Sequence, residues 1–161
     1  MFRIGMGYDV HRFTDDRELI LGGVRIDYKR GLAGHSDADV LIHAINDAIL
    51  GACCLGDIGT YFPDTDNAYK NISSLVLLEK VVGMMKECGY SLVNCDNILI
   101  LEKPRIALYI QRIREKLFKI LETDINAVSV KATTTEKLGF CGREEGIAAQ
   151  SVVLLKKVKK I

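Results

Sequence analysis

Apolar residues recur along this chain in two rhythms, one of two residues and one near 3.6, and the alternation between them predicts the elements. Residues 3–11 read as a strand. Leu19, Leu21, Val24 and Ile26 then alternate around Gly22-Gly23, as a hairpin with a two-residue turn requires. From Asp37 to Ala52 the pattern turns helical: Leu41, Ile45, Ala48, Ile49 and Ala52 form one apolar face, with Ser36 or Asp37 placed to accept from the first free amides. A second helix begins near Ser73 or Ser74, buries Leu78, Val81, Val82 and Met85, and stops at Gly89, which can take the left-handed cap conformation. A strand over Leu92 to Leu101 follows. After Pro104, the series Ile106, Ile110, Ile113, Leu117 and Ile120/Leu121 makes a third helix, with Arg112, Arg114, Glu115 and Lys119 between its apolar positions, and its stripe must face a sheet. Strands near Ala127 to Ala132 and Ile147 to Leu155 close the chain, the latter too uniformly apolar for an exposed sheet face. The expected architecture is α+β, with helices layered on a mixed β-sheet.

Length and charge narrow the function. At 161 residues with 2 prolines and no linker or repeat, residues 1–161 are expected to form one domain. The formal charge of +1 offers no field for gripping nucleic acid or an anionic membrane. The longest run without a charge, Gly146 to Leu155, is far short of the roughly 20 apolar residues of a spanning helix. The start MFRIGMGYDVH has neither an apolar signal core nor transit-peptide character, so residence in a cytoplasm is expected. Cys53, Cys54, Cys88, Cys95 and Cys141 are odd in number and contain no C-x-x-C pair; they read as reduced, mostly core thiols.

Within the first strand, the period of two points Asp9 and His11 to one face and Val10 to the other. An Asp-x-His pair alone is more often a hydrogen-bonded couple than a metal site. The following helix changes the odds, because His35, Asp39, His43 and Asp47 recur every four residues, all but His35 inside it. Asp39 or Asp47 alone reads as part of a solvated face, but Asp9, His11 and one helical histidine, His43, supply the three ligands of a catalytic zinc site with an open position. Asp39 or Asp47 would then orient a ligating imidazole. Beyond the helix, Gly56 to Gly59 and Phe62 to Asp66 form a turn-rich segment with three carboxylates. It either simply connects or meets a polyol or a second cation. Lys131 to Phe140 leaves a strand with three threonines, then an acid and a base, an inventory that suits phosphates and a bridging divalent ion as well as it suits an ordinary polar turn.

Four segments, GYDVHRF, AGHSDADVLIHAINDAILGA, LGDIGTYFPDTD and VKATTTEKLGF, together resemble the 2-C-methyl-D-erythritol 2,4-cyclodiphosphate synthase family over Arg3 to about Leu155. The resemblance implies a two-layer α+β domain assembled as a homotrimer, with each active site between subunits, in a bacterial cytoplasm. It implies a cytidine diphosphate-linked substrate, 4-diphosphocytidyl-2-C-methyl-D-erythritol 2-phosphate, whose own 2-phosphate attacks the β-phosphorus, closing a cyclic diphosphate and releasing CMP in the non-mevalonate isoprenoid pathway. By motif position, Asp9, His11 and His43 hold zinc or a substituting divalent ion, and Glu136 serves a second ion, magnesium or manganese. His35 and Thr134 are the implied catalytic groups. The substrate would touch Asp9, Val10, His11, His35 and Ser36. Asp57, Ile58, Gly59, Phe62, Pro63, Asp64, Thr65 and Asp66 would form the methylerythritol loops. Leu101, Glu102, Lys103, Pro104, Arg105, Ile106 and Ala107 would make the cytidine pocket with Thr133, Thr134 and Thr135, and Glu136 would reach the substrate through the second ion between its phosphates. Phe140 and Arg143 match positions near the trimer axis, where some members bind an isoprenoid diphosphate.

Departures from the family pattern are few: Arg105 stands where many members have Lys, Tyr8 where Phe is common, and Glu145 adds an acid to the GREEG turn. Two other functions use the same residues. A metal-dependent phosphoester hydrolase would attack with water, and a trimeric small-molecule-binding protein would hold a structural metal in a closed four-ligand site, for which the chain offers only three convergent ligands.

Overall fold

The computed structural model describes residues 1–63, 65–66, 69 and 71–158. In chain order the elements are β1 (Phe2–Thr14), β2 (Leu19–Leu21), β3 (Val24–Ile26), β4 (Gly31–Leu32), α1 (Val40–Ala52), α2 (Ile58–Tyr61), α3 (Ser74–Glu87), β5 (Tyr90–Ile100), α4 (Ile110–Ile120), β6 (Val128–Thr133), α5 (Gly139–Gly142) and β7 (Gly146–Lys157). One sheet has the order β4-β1-β7-β5-β6. Strand β7 pairs antiparallel with β1 from Phe2↔Lys156 to Arg12↔Gly146 and with β5 on its other side, while β6 runs parallel to β5. The sheet is therefore mixed, as expected, and helices cover one of its faces.

Helix α1 lies directly on β1, and glycine makes that possible. A Cβ at Gly5 would stand 1.8 Å from the carbonyl oxygen of Ala48, and one at Gly7 would stand 2.0 Å from that of Ala44. Ala44 and Ala48 share one helical face, so a seam of small residues lets strand and helix approach closely. Ten of the thirteen residues of α1 are buried, which makes it a core helix rather than one with a solvated side.

The β2–β3 hairpin turns through Gly22 and Gly23 at φ of 57° and 69°, the paired left-handed conformations of a type I′ turn. Its amides point at α1. The Asp39 carboxylate accepts from Gly22 N at 2.9 Å, Gly23 N at 2.6 Å and Ile42 N at 3.2 Å, so it caps α1 and docks the hairpin together. The expectation that Ser36 or Asp37 caps this helix is corrected: α1 starts at Val40, and Asp37 instead binds Ser74 N at 3.0 Å, capping α3. Asp39 is fully buried, so the solvated-face reading of that residue is corrected as well. Burial pushes its carboxyl up to about 6, against the pull of the three amides.

Helix α3 buries Leu78, Val81, Val82 and Met85 and is followed by Gly89 at φ 77°, as its pattern predicts. The third apolar series divides into a 3-10 turn, Ala107–Tyr109, and α4, which starts four residues later than Ile106 and buries Ile113 and Leu117 against β6, α3 and β3. Cys53, Cys95 and Cys141 are buried, Cys88 is half-buried and Cys54 is exposed, all as free thiols. Burial pushes Cys53 and Cys95 up to about 11.

Within a single chain β7 is covered on one face only. Its inner face is buried, but on the opposite face Val152 is exposed beside Phe2 (66% exposed), Ile4 (73%), Met6 (64%) and Tyr8 of β1. An apolar run of this kind tells that both faces avoid water without telling which layer covers each. Among the described residues no helix is long and apolar enough to cross a membrane.

Candidate metal centre and the surrounding loops

Where α1 crosses β1, His43 hangs over the strand one residue before the Ala44 contact with Gly7, facing the side that Asp9 and His11 share. Asp9 Oδ2 lies 3.0 Å from His11 Nε2 and 3.1 Å from His43 Nδ1, and the two ring nitrogens are 3.1 Å apart. Three atoms that each offer a lone pair repel at this spacing unless a cation, a proton or a metal ion, lies among them. A tetrahedral ion with bonds of about 2.0–2.1 Å needs donor atoms about 3.3 Å apart, so this near-equilateral triangle fits one and leaves a fourth position open. Among the described residues this is the sole His/Cys/Asp/Glu cluster with such convergence.

The electrostatics agree. Burial would raise Asp9, but the hydrogen bonds and charges of His11 and His43 outweigh it and hold the carboxyl well below the usual carboxylate range. Burial would lower His11, yet Asp9 and the Ala33 carbonyl raise it above its ordinary value of 6.5.

Each imidazole is oriented from behind. His11 Nδ1 lies 2.8 Å from Ala33 O; a carbonyl only accepts, so Nδ1 donates and Nε2 turns its lone pair to the triangle. His43 Nε2 lies 3.0 Å from Ser74 Oγ and 3.1 Å from Ser36 Oγ. The expectation that Asp39 or Asp47 orients an imidazole is thus corrected. Asp47 accepts Ile58 N at 2.8 Å and ties α2 to α1, and burial raises its carboxyl above the ordinary range.

A cavity of about 250 Å³ opens beside the triangle, lined by His11, Gly34, His35, Ser36, His43, Ile58, Phe62, Tyr69 and Leu77. His35 is half-buried there, with Nε2 3.1 Å from the Asp66 carbonyl. The Ser36 side chain is buried, its hydroxyl turned to His43. Asp57 caps α2 by accepting from Thr60 N and Oγ1, both at 3.0 Å, and Gly59 lies within that helix. Pro63 is half-buried, and Thr65 and Asp66 are exposed; Asp64 lies outside the described residues. Val10 points to the open face of the sheet, away from its two neighbours.

A second cavity, of about 400 Å³, gathers Leu101, Glu102, Pro104, Arg105, Ile106 and Ala107 with Ala132, Thr133 and Thr134. Glu102 holds the loop after β6, accepting from Thr135 N and Lys137 N at 3.0 Å each. Lys103 turns away to Glu144, 3.1 Å off. Thr134 Oγ1 donates to Glu136 Oε1 at 2.7 Å, and Glu136 sits at φ 52° outside the metal triangle. Phe140 borders a smaller cavity of about 160 Å³ with Tyr8 and Leu138, and Arg143 pairs with Glu145 at 2.8 Å.

Sequence reasoning missed three residues that shape the first cavity. Arg17 donates to the carbonyls of Gly34, at 2.7 Å, and Ser36, on either side of His35. Asp37 and Ser74 meet behind His43. The only signals for them were Ser74 as a helix start and Asp37 as a cap, the latter assigned to the wrong helix; Arg17 acts across contacts far apart in sequence.

Compared with known proteins, the chain matches the profile of the YgbB family over residues 2–156. The chain belongs to the YgbB family. It is 58% identical over 157 residues to a 2-C-methyl-D-erythritol 2,4-cyclodiphosphate synthase of Bacillus cereus (strain B4264), covering 98% of this chain and 99% of the relative. Among solved structures, the bifunctional IspDF from Campylobacter jejuni matches with a TM-score of 0.95 and 44% identity over 99% of this chain, which spans only 43% of that larger protein. An IspF of Plasmodium falciparum, solved as a CDP complex, matches with a TM-score of 0.86 and 34% identity, covering 98% of this chain and 97% of its own. The family resemblance carried by four short segments therefore extends over the whole fold.

Proposed function

We propose that this chain converts 4-diphosphocytidyl-2-C-methyl-D-erythritol 2-phosphate to 2-C-methyl-D-erythritol 2,4-cyclodiphosphate with release of CMP, within the non-mevalonate isoprenoid pathway and in a cytoplasm. The observation that carries this reading is the Asp9/His11/His43 triangle, open on one side to the cavity with His35, in a chain so similar to a named synthase. A divalent ion in the triangle, zinc by its one oxygen and two imidazole donors, supplies Lewis-acid polarisation of a phosphoryl oxygen.

The substrate brings its own nucleophile, so the protein's task is alignment and neutralisation of charge. His35, in the cavity wall, donates to a phosphate oxygen, and Ser36 closes the wall behind it. The α2 loop, held by Asp47 and Asp57, receives the methylerythritol hydroxyls. The Leu101 to Ala107 cavity takes the cytidine. Thr134 and the main chain of Thr133 to Thr135 face its phosphates, with Glu136 serving magnesium or manganese. In oxygen-18 water, the purified protein with zinc and magnesium or manganese is expected to yield CMP and a cyclic diphosphate free of solvent label, and chelator to stop the reaction. Label in a linear product would instead make it a hydrolase, and tight binding without turnover a binding protein.

The two cavities are lined by different residues, and the homotrimer proposed here joins the metal cavity of one subunit to the cytidine cavity of the next. The open apolar face of β1 and β7 supports that assembly, since aromatic and aliphatic side chains this exposed mark a contact surface. Phe140 and Arg143 would then approach the axis, where an isoprenoid diphosphate is the proposed ligand. Sedimentation should give three chains for the native protein, and Met6→Asp, which puts a charge in that face, should leave a folded single chain with CMP release reduced at least tenfold. A Met6→Asp protein that still sediments as a trimer would remove this face from the interface.

A further inference from the structure

Behind His43, a line of polar contacts runs away from the metal triangle to a second element. We infer that Asp37 and Ser74 form a hydrogen-bond relay that sets the tautomer and orientation of His43, keeping its proton on Nε2 and its Nδ1 lone pair on the metal. The inference rests on reading Asp9, His11 and His43 as ligands.

Ser74 is the first residue of α3 and is fully buried. Its Oγ makes a short contact with Asp37 Oδ1 and lies 3.0 Å from His43 Nε2. A carboxylate only accepts, so the hydroxyl proton of Ser74 points to Asp37. Toward His43 the hydroxyl then presents lone pairs alone, and Nε2 must donate. Ser36 Oγ, which accepts from Ala38 N at 3.2 Å and lies 3.5 Å from Ser74 Oγ, can turn its proton to Ser74 and offer a second lone pair 3.1 Å from the same nitrogen. With the proton fixed on Nε2, Nδ1 has a lone pair 3.1 Å from both Asp9 Oδ2 and His11 Nε2. The opposite tautomer would place an N–H where an ion needs a donor atom. Asp37 is itself anchored, since its other oxygen accepts Ser74 N at 3.0 Å and its own amide donates to Ile72 O at 3.0 Å. The relay thus hangs from the N-terminus of α3, and Ser73 contributes no side-chain cap there. Asp37 and Ser74 are positioning residues, acting on the ion through His43.

Because Asp37 also caps a helix, the test reads the imidazole itself. Zinc affinity is measured by competition with a chromophoric chelator, and the His43 ring is observed by long-range hydrogen–nitrogen correlation in the zinc-loaded protein. The native chain should take up one zinc and show a His43 Nε2 proton protected from exchange with water. Ser74→Ala should bind zinc about 10- to 100-fold more weakly, with that proton shifted and exchanging rapidly. Asp37→Ala frees the Ser74 hydroxyl to donate to Nε2, and should weaken zinc by a similar factor. Since Asp37 acts through Ser74, the double variant should lose no more than the larger single loss. An affinity within twofold of native and an unmoved Nε2 proton in Ser74→Ala would overturn the relay, as would additive losses, which would leave Asp37 a helix cap only. Failure of the native chain to bind zinc would bring down the ligand set, and the relay with it.

Discussion

Replacing His43 with alanine is expected to slow CMP release at least about 1,000-fold and to strip the protein of its bound zinc, while the fold survives. His43 is the only corner of the triangle on α1; without it Asp9 and His11 remain on one strand, two donors where a catalytic ion needs three. Alanine is the best helix former, and the imidazole is partly solvent-facing rather than part of the apolar core, so α1 has no reason to unfold. Metal content, circular dichroism and CMP release should be measured on the same preparation. Full zinc occupancy with near-native turnover would show that His43 is not a ligand.

Asp39→Ala should have the largest effect on stability, lowering the unfolding free energy by about 3–6 kcal/mol and the melting temperature by about 10 °C or more. One carboxylate serves the amides of Gly22, Gly23 and Ile42; its loss leaves two buried donors without partners, at about 1–3 kcal/mol each, and a partly buried third at less. The pH profile should change too. Folding holds the Asp39 proton more tightly than the ordinary aspartate value of 3.8, so the stability that protonation confers is complete below 3.8 and is lost as pH rises through about 6. That downward slope should be present in native urea unfolding between these pH values and absent from the alanine variant. A loss under about 1 kcal/mol would show that the hairpin is docked by its apolar contacts alone.

What could be read from the sequence was local. The period of two put Asp9 and His11 together, the four-residue row put His43 above them, and Gly22-Gly23 announced the hairpin. Asp39 shows where such reading stops: its helical spacing from His43 suggested a shared polar row, but the hairpin turn that buries it arrives from 16 and 17 positions earlier and only in the folded chain. Asp37 was similarly misplaced, because its helix partner, Ser74, is 37 positions away. The apolar length of β7 was legible, yet whether another layer of the same chain or a second chain covers its outer face is not encoded in its own residues. The α4 boundary moved because a 3-10 turn continues an apolar series without continuing the α-helix.

Gly5 and Gly7 carry a consequence for the ion. Two corners of the ligand triangle ride on β1 and the third on α1, so the clearance between strand and helix is also the size of the cradle. A methyl group at Gly7 would lift the helix off the strand and lengthen both edges that reach His43, while the Asp9–His11 edge, internal to the strand, kept its length. The near-equilateral cradle would become isosceles, and a small tetrahedral ion would lose its third donor before the fold lost its core. The absence of two side chains thus works as a gauge, calibrating an ionic radius from the seam between strand and helix.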